Sequence, residues 1–187
     1  MRLPAAFLLL ALPLAADGEQ DNKPDKVRPI PPPGVVVPEA DRAEIGAGLE
    51  AFAKEFDALR GELKAKPALL ALLPDVEIYL KAVRYALQHN EIFNVREVPV
   101  AKAHLRTGMD RIKALREGAP AWTQARGNLA LGYVSRIDGS VQPYGLVVPA
   151  SWQAGAAVRH RLDTWFHGRG ETLSELAFID QRQKSAG

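Results

Sequence analysis

Four residues of the sequence have the types and the order of an anion-stabilising turn. His167-Gly168-Arg169-Gly170 lies where a β-patterned run ends and a helical pattern begins. Glycine-flanked peptides let successive backbone N–H groups point into one space, and the N-terminus of a helix adds positive potential there. Such a turn can stabilise the oxyanion that forms when a carbonyl group is attacked. A glycine-rich turn is also often a simple tight connection, so both interpretations stay open at this point.

Metal chemistry is disfavoured by the same stretch of sequence. His160, Asp163 and His167 could be combined as ligands, but strand alternation sends His160 and Asp163 to opposite faces. Cysteine is absent, which excludes thiolate nucleophiles, disulfide bonds and cysteine-ligated zinc. We therefore expect neither a metal nor another cofactor.

The elements around the turn follow an α/β order. Leu129, Leu131 and Tyr133 alternate as in a half-buried strand, and Asp138-Gly139 predicts a two-residue type I′ turn into a second arm over 140–149. Pro143 indicates an edge strand or a bulge in that arm. A third strand is predicted at 161–166. After the turn, Thr172 and Glu175 are spaced as a capping box for a helix through Phe178 and Ile179.

Three amphipathic helices precede these strands. Asp41 and Glu44 have capping-box spacing before the first, Asp75 opens the second, and the third runs from about Pro99 to Arg116 with Gly118 as its stop signal. Residues at helical spacing are expected to form the buried faces. They are Ile45, Leu49, Phe52, Phe56, Leu59 and Leu63; then Val76, Tyr79, Leu80, Val83 and Leu87; then Leu105, Met109, Ile112 and Leu115.

The first 40 residues predict export. Arg2 precedes an apolar stretch from Leu3 to Leu14, and small residues follow, so 1–16 reads as a signal peptide cleaved after Ala16. An uncleaved anchor is the lesser alternative, because about a dozen apolar residues are too few to span a bilayer. Residues 17–40 are polar and proline-rich, as in a linker. We expect a secreted or periplasmic protein, without a membrane segment after cleavage.

At residues 137–149 and 161–171 the sequence resembles the α/β-hydrolase superfamily. The runs IDGSVQPYGLVVP and RLDTWFHGRGE are similar to secreted bacterial hydrolases of the prolyl oligopeptidase-like type, whose relatives carry an HGGG-type motif after the third strand. The resemblance implies that Gly168 and Arg169 supply oxyanion-hole N–H groups and that His167 shapes the turn. Arg169 stands in place of a glycine of that motif. It also implies an ester or peptide substrate.

The resemblance further implies a nucleophile in a Gly-x-Ser-x-Gly elbow, followed by an acid and a histidine. No serine of this sequence has those flanking glycines; the serines are Ser135, Ser140, Ser151, Ser174 and Ser185. We therefore expect 41–118 to be a helical pre-domain and 119–187 the incomplete start of a hydrolase domain, in a chain truncated before the elbow. The fold class expected is α+β or α/β.

A rival hypothesis is a non-catalytic exported module, whose helices bind a partner or a cell-wall component. It predicts a compact protein with satisfied sheet edges, whereas the hydrolase hypothesis predicts an open edge, an exposed apolar face and marginal stability. The 24 basic and 22 acidic residues give no footprint for nucleic acid, and oligomeric state stays open. His89 and His104 are expected to be surface or satisfied residues. Glu55, Asp57 and Glu62 are expected to form a solvated helix face.

Overall fold

The computed structural model describes residues 23, 25–26, 29–168 and 170–184. The chain divides into two units, Met1–Ile30 and Pro31–Gly187, and the second contains every helix and strand of the described residues. The predicted signal peptide, 1–16, lies outside the described residues, as do 17–22, 24, 27 and 28 of the predicted linker.

The second unit mixes helices with a small antiparallel sheet, which is an α+β arrangement. Its elements in chain order are α1 (Glu39–Glu62), α2 (Pro67–Leu70), α3 (Leu73–Gln88), α4 (Glu97–Arg116), a 3-10 turn (Ala121–Gln124), β1 (Gly127–Val134), β2 (Val141–Val148) and α5 (Glu175–Lys184). The three long predicted helices are confirmed as α1, α3 and α4. Helices and hairpin share one hydrophobic core.

The helical core is formed by the predicted stripes. Ile45, Phe52 and Leu59 of α1 are fully buried, as are Val76 and Val83 of α3. α4 adds buried leucine and isoleucine side chains and approaches α1 closely at Gly108, where a Cβ would lie 2.1 Å from the Phe52 ring. Burial of an aromatic or aliphatic side chain contributes about 1.5–3 kcal/mol each, so these stripes stabilise the bundle.

The predicted first-helix cap is wrong. α1 begins at Glu39, and its N-cap residue, Pro38, makes no side-chain hydrogen bond. The carboxylates of Asp41 and Glu44 instead both accept hydrogen bonds from Lys102 Nζ of α4, at 2.7 Å for Asp41. These two side chains therefore join α1 to α4, and they raise the pKa of Lys102.

The expected solvated face of α1 also has partners. Glu55 and Glu62 accept hydrogen bonds from Arg116 of α4 at 2.6 and 3.0 Å, which raises the pKa of that guanidinium. Asp57 is exposed, as expected.

The hairpin is confirmed, but its turn is not the predicted one. β1 and β2 pair antiparallel without a bulge, from Gly127 opposite Val148 to Val134 opposite Val141. Residues 135–140 form the connection, and within it only Gly139 has a positive φ, of 73°. A type I′ turn needs positive φ at two central residues. Asp138 does not adopt one because its carboxylate accepts hydrogen bonds from Ser140 N and Oγ, which stabilises the longer loop.

The face of β1 that packs on the helices carries its small residues. Ala130 is fully buried, and a Cβ on Gly132 would lie 2.2 Å from the Pro74 carbonyl oxygen of α3. Small residues are required there because the backbone of β1 lies directly against α3. The bulky Leu129, Leu131 and Tyr133 consequently occupy the outer face.

Candidate functional site

The predicted oxyanion turn is exposed and follows an irregular segment. His167, Gly168 and Gly170 are exposed, and Arg169 lies outside the described residues. The strand predicted at 161–166 is absent from the described residues, because 149–168 contains no strand and the sheet consists of β1 and β2 alone. A strand needs a hydrogen-bonded neighbour, and no described residue pairs with 161–166 in this way.

His167 is attached to α5 through its ring. The ring lies 5.3 Å from the ring of Phe178, centroid to centroid, and 6.3 Å from that of Trp165. Its Nδ1 lies 2.9 Å from the Gly168 carbonyl oxygen, which fits an Nδ1–H donor. The position of α5 therefore fixes that of His167.

The capping box predicted for α5 is wrong by two residues. Ser174 Oγ accepts a hydrogen bond from Ala177 N at 3.3 Å, so Ser174 supplies the N-cap oxygen. Glu175 extends away from Thr172 and accepts a hydrogen bond from Lys81 Nζ at 2.6 Å. The same ammonium donates to the Val141 carbonyl oxygen at 2.7 Å, so Lys81 ties together α3, β2 and α5.

A cavity of about 330 Å³ lies beside the turn. It is bounded by α3, by residues 91–93 and by residues 170–175, with Tyr85, Phe93 and Gly170 among its lining. The turn thus adjoins a concave space with aromatic walls. Ligand sites in proteins are commonly concave and aromatic-lined.

A buried polar cluster positions β1, and the sequence patterns did not single it out. Arg111 of α4 donates to the carbonyl oxygens of Asp75 at 2.7 Å and Ala130 at 3.1 Å, and its guanidinium lies 4.9 Å from the ring centroids of Tyr79 and Trp122. Burial lowers the pKa of Arg111, while Tyr79 and Asp75 raise it. In the sequence, the signal is an arginine on the helix face that otherwise carries apolar residues; a charged residue at such a position could have indicated this cluster.

The carboxylate of Asp75 completes that cluster. It accepts hydrogen bonds from Trp122 Nε1 at 2.9 Å and from Gly132 N at 2.8 Å. Ala130 O and Gly132 N therefore point away from β2 and are satisfied by side chains. We call this long edge of the hairpin the β1 side; it is closed by Asp75 and Arg111.

The opposite edge, the β2 side, is closed at one end and open at the other. Lys81 Nζ donates to the outward carbonyl oxygen of Val141, and the open part begins after Pro143, at Gly145 and Val147. In an antiparallel ladder, residues facing each other at a non-hydrogen-bonded pair both direct their backbone groups outward. Gly145 and Pro143 face Ala130 and Gly132, so their backbone groups point away from β1. Gly145 is exposed, Val147 is 60% exposed, and no strand pairs with this edge within the described residues.

The outer face of the hairpin is apolar and separate from the core. Leu129, Leu131, Leu146 and Val148 are half-buried, and none of them packs against the core cluster. Tyr144, on the same face, is 37% exposed. An exposed apolar surface commonly marks an interaction site.

No described serine is paired with a histidine. Ser135, Ser140 and Ser174 make hydrogen bonds to backbone groups or to neighbouring polar side chains. The described part of the chain also has no group of three His, Asp or Glu side chains placed to hold a metal ion. No helix among its residues is long and apolar enough to cross a bilayer.

Neither a protein-family model, nor a curated protein, nor a solved structure matches the chain. The hydrolase resemblance therefore stays a prediction, as do the roles of residues 167–170 and the domain boundaries.

Proposed function

We propose that this chain is the N-terminal part of an exported serine hydrolase of the α/β-hydrolase fold that cleaves ester or peptide bonds. In this proposal the helices are a pre-domain, the hairpin opens the catalytic sheet, and residues 167–170 form the oxyanion-hole loop. The nucleophile, the acid and the catalytic histidine are supplied by sequence outside this chain.

The observation that carries the proposal is the asymmetry of the hairpin. Its β1 side is closed by the side chains of Asp75 and Arg111, whereas its β2 side is bound by Lys81 at Val141 alone and has no strand paired with Gly145 and Val147 among the described residues. Unpaired sheet edges attract further strands. An open edge and an exposed apolar face are what the hydrolase hypothesis predicts and what a self-contained module does not.

The segment after the hairpin gives a second line of support. Leu162, Trp165 and Phe166 are each at least 75% exposed, which is unusual for large apolar side chains in a folded domain. The same run carries the β-pattern from which a strand was predicted. A strand of this kind forms only when a neighbouring strand pairs with it, which a larger sheet would provide.

The chemistry proposed for the loop is electrostatic. The backbone N–H groups of Gly168 and Arg169 donate hydrogen bonds to the carbonyl oxygen of the substrate as it becomes an oxyanion, and a serine outside this chain forms the bond to the carbonyl carbon. The carbonyl oxygen gains charge during that step, so fixed donors stabilise the transition state more than the ground state. His167, whose ring contacts the ring of Phe178, orients the loop.

The exported binding module remains the second candidate. It is favoured by the single core that joins helices and hairpin, and by the complete hydrogen bonding of Asp75 and Arg111. In that case the apolar outer face of the hairpin would itself be the binding surface.

The first test is the reading frame downstream of codon 187 in the source DNA. A frame that continues into a Gly-x-Ser-x-Gly elbow, with a later acid and histidine, supports the hydrolase. A stop codon directly after codon 187 contradicts it and favours the binding module.

The second test uses the product of a continuing frame. A fluorophosphonate probe is expected to label its serine, and Gly168→Pro, which deletes one N–H donor, is expected to slow labelling about 10²–10³-fold. Gly168→Ala is the matched control, because it keeps the donor. Equal labelling rates for the two variants would show that the N–H group of residue 168 does not stabilise the oxyanion.

A further inference from the structure

Helix α5 is short and depends on its contacts with the bundle. It has ten residues, fewer than an isolated helix needs to be stable in water. Leu176 and Ile179 anchor it in the core, and Gln183 Nε2 donates to the Tyr79 hydroxyl of α3 at 2.7 Å. Loss of docking would therefore also melt the helix.

One histidine of α4 lies at the centre of this docking surface. His104 is 2% exposed, and its Nε2 lies 3.1 Å from the Leu176 carbonyl oxygen of α5, so the nitrogen carries the proton and donates. Its ring meets the ring of Tyr79 edge-on, with centroids 5.4 Å apart. His104 is thus a titratable group enclosed between α3, α4 and α5.

The charged groups that face His104 give it little compensation. α3 contributes the neutral Tyr79, and Arg111 of α4 lies on the ring of that tyrosine. α5 contributes Asp180 and Lys184, which pair with each other at 2.6 Å, so their opposite charges act on the imidazole against one another. An imidazolium at this position would be buried without a carboxylate bonded to it, which is unfavourable.

We propose that protonation of His104 releases α5 from the helical bundle while α1, α3 and α4 remain folded. The release would also end the contact between Phe178 and His167, so acid pH would free the loop that precedes α5. The inference does not depend on the hydrolase proposal, because it rests on the docking of α5 alone.

The pH range follows from the direction of the titration. When α5 is docked, burial lowers the pKa of His104 below its ordinary value of about 6.5, and this effect outweighs the hydrogen bond to the Leu176 carbonyl oxygen, which raises the pKa. The undocked state therefore binds more protons below pH 6.5. Docking is fully stable above that pH, and the equilibrium constant for release rises up to about tenfold per pH unit as pH falls toward the docked pKa.

The experiment is amide hydrogen exchange of the 187-residue chain between pH 7.5 and 4.5, corrected for the intrinsic effect of pH. Peptides covering 174–184 are expected to lose protection by up to about tenfold per unit below pH 6.5, while peptides of α3 and α4 keep theirs. His104→Gln keeps an N–H donor without titrating in this range, and it should abolish the change. His160→Gln, at an exposed histidine, should not.

The ring of His104 provides a test that needs no variant. Its NMR titration in the wild-type chain should give a pKa below 6.5, and a value at or above 6.5 would overturn the proposal. Protection of α5 that is unchanged by pH would also overturn it. So would loss of protection in α3 and α4 together with α5, or an acid response that persists in His104→Gln.

Discussion

The two long sides of the hairpin differ in how their backbone groups are satisfied. On the β1 side, Ala130 O accepts a hydrogen bond from Arg111, and Gly132 N donates one to Asp75. Both charged side chains are buried. On the β2 side, Gly145 and Val147 are exposed and pair with no strand of the described residues. Burying charge is costly unless every partner is present.

This difference indicates which side of the sheet is complete. The β1 side ends the sheet, because side chains replace a further strand there. On the β2 side Lys81 binds the Val141 carbonyl oxygen, but Gly145 and Val147 pair with no described strand, next to the apolar outer face. The following predictions test that asymmetry.

The largest effect is expected where β1 meets α3. Gly132→Val places a Cβ 2.2 Å from the Pro74 carbonyl oxygen, a backbone atom that cannot move aside, and should cost about 3 kcal/mol of unfolding free energy or more. Urea denaturation measures the loss. Gly145→Ala is the control on β2: the atoms nearest to its Cβ belong to the Arg182 side chain, which can shift more easily than backbone, so the loss should be smaller, about 1 kcal/mol. Equal losses would show that β1 is not the packed strand.

The next effect comes from opening the β1 side. Asp75→Ala leaves Gly132 N and Trp122 Nε1 without their acceptor, and should cost about 2–3 kcal/mol. Asp75→Asn keeps one acceptor oxygen, so its loss in the same denaturation experiment should be smaller. If both variants unfold like the wild type, the carboxylate does not close this edge.

Substitution on the β2 side should leave stability nearly unchanged. Val147 is 60% exposed, and Val147→Lys is expected to change the unfolding free energy by less than about 0.5 kcal/mol. Edge lysines also oppose strand addition. Ile78→Ala, at a fully buried site of α3, is the contrast and should cost about 2–5 kcal/mol. A large loss for Val147→Lys would mean that the β2 side is already covered.

The smallest effect is in the connection between the strands. Hydrogen bonds from Ser140 hold the pKa of Asp138 at about 2, below its ordinary value of 3.8. Because the folded pKa is depressed, the stabilisation is present above pH 3.8 and is lost as pH falls toward 2. NMR titration of Ser140→Ala should give an Asp138 pKa closer to 3.8. An unchanged pKa would assign the shift to another group.

The helices could be predicted from the sequence, because a stripe repeating every three or four residues reports burial of one helix face directly. Ile45, Phe52 and Leu59 illustrate this. Helix starts could not be predicted as well, because Asp41 and Glu175 have local capping partners in the sequence but find stronger ones, Lys102 and Lys81, on other elements. Tertiary contacts decided between those alternatives.

The sheet was harder to predict for a related reason. Alternation located β1 and β2, but it did not show which face meets the helices, because α3 comes so close to Gly132 that only small residues fit between them. The strand predicted at 161–166 needs a partner strand, and none of the described residues forms one beside it. In the candidate site, the turn at 167–170 was found from its glycines, but its attachment through Phe178 was not, since no local pattern encodes that contact.

Hydrogen exchange at neutral pH tests the asymmetry of the hairpin most directly. Because Asp75 binds Gly132 N on the β1 side, this outward-pointing amide should exchange slowly, at a rate near those of α3 and α4. The facing amides of Gly145 and Val147, and those of 161–166, should exchange within seconds to minutes. Slow exchange at Gly145, Val147 and 161–166 would contradict the account, because it would mean that those backbone groups already have partners in this chain.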